Sequence, residues 1–255
     1  MSVAEQIAAT LAAHGDTLRT AAERLPAPRR APVLPEEDDD ADLPEAASWP
    51  STQPMLIELV YVDGRGRRST RQVTVRAVGR TAEGYWLRGL CHQRGAMRCF
   101  RIDRIEEVVT PLDGQVYENA SAFLLDDLLI AGEADAATKG LDVAFARSAD
   151  VVLALAFLAR CDGDYADREQ AAIAGVLARR AGDVAFDATA AARRIALLRP
   201  DFDDFTAAIG RLAATPDDAL ELARAAVEVV DADGVVAPEE RRILRDLGEI
   251  LMGAG

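Results

Sequence analysis

Residues 55–110 read MLIELVYVDGRGRRSTRQVTVRAVGRTAEGYWLRGLCHQRGAMRCFRIDRIEEVVT. Five short β-rich runs stand out: MLIELVYV, RQVTVRAV, YWLRGLC, MRCFRI and IEEVV. Side chains alternate between faces along such runs, and DGRG, GRTAEG and QRGA between them carry turn chemistry. Five antiparallel strands in so short a segment predict a small barrel or rolled sheet. The segment holds eleven arginines against six acids, a surplus of five positive charges. Arg98 and Phe100 lie two apart and share a strand face, which puts Arg101 on the other.

That basic island sits in an acidic chain. The 255 residues carry 29 Lys+Arg against 43 Asp+Glu, a formal net charge of −14, and half of them are hydrophobic. Such a composition supports a real core and argues against a protein that coats nucleic acid or anionic membrane with its whole surface. It leaves the basic segment as a candidate anion site. The odd set Cys91, Cys99 and Cys161 has no paired framework and fits buried thiols in a reducing cytoplasm. The N-terminus lacks the pattern of a secretory signal, and no apolar run has the length of a membrane span.

On either side the pattern changes. Residues 1–54 read as an Ala-rich helix over 3–25, then a Pro-rich linker with an acidic block at Glu36–Asp40. Beyond the strands, 111–147 is a connecting segment with a helix near 119–131. Helices are expected near 148–160, 167–181, 187–198, 202–213, 216–230 and 238–251, several opened by Asp or Pro. Leu220, Ala223, Val227 and Val230 are expected on one buried stripe. The fold class is α+β: a small antiparallel β-module followed by an all-α bundle over 148–252.

The strand segment resembles the WYL domain, named for a Trp-Tyr-Leu motif. The resemblance is carried by Tyr61, Arg71, the run Gly84-Tyr85-Trp86-Leu87, Cys91, and the closing run Arg98-Cys99-Phe100-Arg101-Ile102-Asp103-Arg104-Ile105. Two positions depart from the pattern: the aromatic pair is inverted, and Val75 stands where a proline is usual. The resemblance implies a small Sm-like barrel that senses single-stranded nucleic acid or a nucleotide-like anion. Arg71, Tyr85, Trp86, Arg98, Arg101 and Arg104 are then the ligand-binding candidates. Guanidinium forks suit phosphate oxygens, and aromatic faces stack bases without regard to sequence.

The helical half repeats one loop. Asp162-Gly163 is followed by Glu169, and Asp233-Gly234 by Glu240, at the same spacing. The loops look like degenerate calcium loops, in which the glycine is position 6 and the final glutamate position 12. Position 1 is then Leu158 in the first loop and Val229 in the second, and neither side chain ligates a metal. Helix–D-G-x5-E–helix, repeated over 148–252, resembles the tellurite-resistance TerB family of bacterial stress and phage-defence systems. That resemblance implies an acidic surface for a protein partner or a divalent cation (Ca2+, Mg2+ or Mn2+), with Asp162, Asp164, Glu169, Asp231, Asp233 and Glu240 as metal candidates. Helix capping explains the same residues without a ligand.

Enzyme chemistry finds little footing. His92 is the one histidine outside the N-terminal segment, and the sequence carries neither a nucleophile elbow nor a phosphate loop. The expectation is a non-catalytic bacterial stress or defence protein. A ligand-free interaction scaffold and a metal-dependent phosphoesterase are the rival readings.

Overall fold

The computed structural model describes residues 24–25, 51–81, 84–111, 114–124, 136–161, 165–232 and 244. Apart from residues 24–25 and 244, the expected helices at 3–25 and 238–251 lie outside them, as does the acidic linker. The chain divides into two compact units, one built on strands and one on helices, with the boundary at Lys139–Gly140 and the segment Leu197–Arg199 counted with the strands.

The strand unit contains β1 (Ser51–Val62), β2 (Arg68–Thr81), β3 (Gly84–Cys91), β4 (Ala96–Arg101) and β5 (Ile105–Val109), with a 3-10 turn at Ile102–Arg104. A two-residue strand, β6 (Val116–Tyr117), and a helical turn, α1 (Ala120–Ala122), follow. Pairing is antiparallel in the order β4-β3-β2-β1-β5-β6. The sheet is therefore not closed, and the barrel expectation is corrected to an open sheet with β4 and β6 at its edges. β6 is too short to leave a period-two signal; its Tyr117 stacks on Phe123 at 4.0 Å.

The open sheet is nevertheless strongly bent. β1 and β4 are three ladder steps apart, about 14 Å in a flat sheet. The Tyr61 ring of β1 meets the Phe100 ring of β4 edge-on at 5.3 Å, and the Arg101 N–H donates to the Tyr61 hydroxyl at 3.4 Å. One face thus curls around a core of Ile57, Leu59, Val73, Leu87, Phe100 and Val108, all buried. The β1–β2 turn has its own lock. Asp63 accepts from the amides of Arg65 and Arg67 at 2.9 Å each and from the Arg67 guanidinium at 2.7 Å, with Gly66 at φ +77° between them. Burial pushes the Asp63 carboxyl up, but these hydrogen bonds outweigh it and hold its pKa below the ordinary value.

The helical unit contains α2 (Ala136–Leu158), α3 (Asp167–Ala181), α4 (Ala188–Leu197), α5 (Phe202–Leu212) and α6 (Pro216–Val230). α2 is its central rod: Val151, Val152, Ala154, Leu155, Ala156 and Phe157 are all buried. Phe157 stacks on Phe205 of α5 at 4.5 Å. α2 begins a full twelve residues before the expected 148, and Gly140 explains why the start is hard to read. Glycine weakens a helical pattern, yet here a Cβ would collide with the Ala185 carbonyl oxygen. α5 opens with a reciprocal cap: Asp201 accepts from the Asp204 amide at 2.8 Å, and Asp204 accepts from the Asp201 amide at 2.9 Å. α3 and α6 are joined by Arg179 to Glu228 at 2.7 Å and by Arg180 to Glu221 and Asp218.

The expected stripe on α6 is corrected. Of the expected residues Val230 is buried, but Val227 is 54% exposed and Leu220 and Ala223 are half-buried, while Ala219, Leu222, Ala226 and Val229 are buried. Both stripes have the same helical spacing, one residue out of phase. Small alanines fill the closely packed side, which a count of large apolar residues misreads.

The Gly140 contact makes a paired prediction. Gly140→Ala should destabilise the helical unit by about 2–3 kcal/mol in urea unfolding, because the close approach to Ala185 must open. Gly210→Ala in α5, where nothing lies within 4 Å of the added Cβ, should be neutral or stabilising by up to about 1 kcal/mol. Equal effects at the two sites would contradict this packing.

Candidate functional site

The β3–β4 register sorts the basic and aromatic residues. Trp86 faces Arg101 and Arg88 faces Cys99, so Trp86, Arg88 and Arg101 share one side of the hairpin. Leu87 faces Phe100 and Gly89 faces Arg98, so Arg98 lies on the opposite side. The alternation read from the sequence places Arg98 and Arg101 in the same way.

On the first side, the Arg101 guanidinium lies over the Trp86 ring, 5.9 Å from its centroid. The indole N–H donates to the Thr81 hydroxyl at 3.0 Å, which fixes the ring. Trp86 is 8% exposed, so it forms the floor of this layer rather than its surface. Arg101 is in turn gripped by Asp103, with Nε to Oδ1 at 3.1 Å and Nη2 to Oδ2 at 2.8 Å. The Arg101 hydrogen bond holds the Asp103 carboxyl below its ordinary value, and half-buried Arg104 adds to the effect through its charge. Asp103 thus engages the Arg101 fork as a phosphate would. Arg88 is half-buried, with its Nε buried and lacking a hydrogen-bond partner. Among the described residues neither Arg88 nor Arg98 has an ion-pair partner.

The remaining candidates lie elsewhere. Arg71 is opposite Leu59 in the register and 1% exposed, so it is an interior charge and not part of a surface with Arg98, Arg101 and Arg104. A guanidinium persists there only with hydrogen-bond or charge partners. Tyr85, half-buried, carries the Arg80 guanidinium 5.4 Å from its ring centroid. Arg68 is neutralised by Glu106 and Glu107 of β5. Arg88 is the residue that sequence reading passed over; its place two residues from Trp86 was the available signal.

A second polar group lies on β2. The His92 Nε2 is 2.8 Å from the Thr74 hydroxyl. Burial, then the positive charges of Arg199 and Arg76, push the His92 pKa down to about 4.

The metal candidates fare differently. Asp162, Asp164, Asp233 and Glu240 lie outside the described residues. Glu169 is buried and accepts from the Ala166 amide at 2.8 Å, closing the N-terminus of α3. Asp231 is the exposed C-cap residue of α6. Among the described residues no group of three His, Cys, Asp or Glu side chains could hold a metal ion.

The two parts of the chain match two families. Residues 53–110 match the WYL domain, and residues 148–252 match the tellurite resistance protein TerB. The order is the one the sequence motifs imply. No curated protein and no solved structure matches the chain. No helix among the described residues is long and apolar enough to cross a membrane.

His92 yields a pH prediction. Its folded pKa lies below the ordinary 6.5, so between about pH 6.5 and pH 4 the unfolded chain binds a proton that the folded chain does not. Stability should therefore fall as pH falls through that window, by on the order of 1–2 kcal/mol once the screening at a half-buried site is allowed for. His92→Gln should remove this part of the slope in urea unfolding at pH 7 and pH 5. Identical slopes for both proteins would contradict the assignment.

Proposed function

We propose that the strand unit is a non-catalytic sensor for an anionic ligand, single-stranded nucleic acid or a nucleotide-like molecule. It would bind on the β3–β4 side that carries Trp86, Arg88 and Arg101. The observation that carries the reading is Arg88: a half-buried guanidinium with no ion-pair partner among the described residues, on the same side as the indole–guanidinium layer. A phosphate oxygen would pair with the solvent-facing part of that guanidinium, and the flat outer plane of Arg101 would accept a stacked base. Arg104, in the turn that follows β4, would extend the positive field along the backbone of a longer ligand, whereas Arg98 lies on the opposite side of the hairpin. The WYL match supports this class of ligand, and the TerB match supports a role in a bacterial stress or defence pathway in the cytoplasm. The acidic helical unit would then present a surface to a protein partner.

The expected behaviour separates this reading from a ligand-free scaffold. Fluorescence titration with oligothymidylate should show binding that weakens with salt, with a log–log slope of roughly −1.4 to −2.1 for two or three phosphate contacts. Arg88→Ala should weaken binding about fivefold to tenfold, whereas Arg68→Ala, whose guanidinium is already neutralised, should change it less than about twofold. Asp103→Asn should strengthen binding about twofold to fivefold by releasing the Arg101 fork. Absence of salt-sensitive binding, or equal losses for Arg88→Ala and Arg68→Ala, would favour the scaffold.

A further inference from the structure

The two repeat loops differ in charge at several matched positions, one of which precedes the Asp-Gly pair. Residue 160 lies two before Asp162 and nine before Glu169; residue 231 lies two before Asp233 and nine before Glu240. In the calcium-loop register both occupy position 3, where a ligating carboxylate normally stands. One is Arg160 and the other is Asp231.

Their surroundings differ as well. Asp231 is exposed, whereas Arg160 is 7% exposed, just past the end of α2. The Arg160 guanidinium lies 4.9 Å from the centroid of the Tyr165 ring. Its Nε is buried without a hydrogen-bond partner. Burial lowers its pKa, while the nearby Tyr165 and Glu169 act in the opposite direction. Arginine keeps its charge through such a shift. The groups around it are themselves fixed. The Tyr165 hydroxyl donates to the Ile195 carbonyl at 3.0 Å, and the Tyr165 carbonyl accepts from the Gln170 side chain at 2.9 Å. Glu169, the position-12 carboxylate, is buried and caps the Ala166 amide. A buried cation with an unsatisfied donor is costly unless a negative charge lies nearby; Glu169, held on the amide next to Tyr165, is that charge, acting without a direct ion pair to Arg160.

We propose that Arg160 is the resident cation of the first repeat loop: beside Glu169 it supplies the positive charge that a bound metal ion supplies in a calcium-type loop. The junction between α2 and α3 is therefore independent of divalent cations. This holds whether or not the strand unit binds an anion.

The test compares the thermal unfolding of the full chain in EDTA with that in millimolar calcium or magnesium. Arg160→Asp copies the second loop at position 3. It should lower the melting temperature in EDTA by about 4 °C or more. Calcium or magnesium should restore at least half of that loss, a larger rise than the same cation gives the unaltered protein. Arg160→Lys, which keeps the charge but loses the planar face over Tyr165, should melt above Arg160→Asp in EDTA and gain no more from the cations than the unaltered protein does. If Arg160→Asp does not fold, Arg160→Gln takes its place in the same comparison. The proposal is overturned if the cations raise the unaltered protein and the variant equally. It is also overturned if the variant is as stable in EDTA as the unaltered protein.

Discussion

Tyr61 is the contact on which the strand unit depends. Its ring meets Phe100 and its hydroxyl meets the Arg101 amide, although β1 and β4 are three strands apart. A six-stranded sheet whose ladder stays open can enclose a core only by bending, and this contact brings the β4 edge back over β1. Its consequence reaches the candidate site. β4 is an edge strand, and the residue held by Tyr61 is the arginine that covers Trp86. The interior and the exterior of the sheet are organised by the same residue pair, 100 and 101, facing opposite ways.

That constraint divides the arginines into kinds. Arg71 is taken inside, Arg68 and Arg67 are matched to carboxylates at the sheet's turns and neighbouring strand, and Arg101 is layered on an indole and forked by Asp103. Among the described residues Arg88 and Arg98 have no such carboxylate. A surplus of positive charge on a segment therefore reduces to a few guanidinium groups with unused donors. The helical unit uses its arginines differently: Arg179, Arg180, Arg194 and Arg211 each pair with an acid from another helix. Its acids outnumber them, which leaves a negative surface.

The strands were legible because alternation at period two is a strong local signal, and the faces of Arg98 and Arg101 followed from it directly. What alternation does not encode is curvature, so neither the open ladder nor the burial of Arg71 could be read from spacing. The helices of the second half were located by their caps and apolar spacing; α3 and α6 begin and end where the residues indicate. The errors have specific causes. Gly140 disguised the first three turns of α2 because a close backbone approach favours the residue that helix propensity disfavours. Alanine on the packed side of α6 moved the apparent stripe by one residue. Of the site, the Trp86–Arg101 layer was legible in the aromatic and basic motif. Arg88 was not, since an unpaired donor is a property of the fold around it.

The central claim is that Trp86, Arg88 and Arg101 form the face that meets an anionic ligand. Nuclear magnetic resonance observation of the arginine Nε–H groups and the Trp86 indole during addition of oligothymidylate tests it most directly. Saturable shifts that begin at Arg88 and the Trp86 indole, followed by Arg101, are the predicted result. Shifts confined to Arg68, to Arg71 or to the helical unit, with Arg88 and Trp86 unmoved, would contradict it.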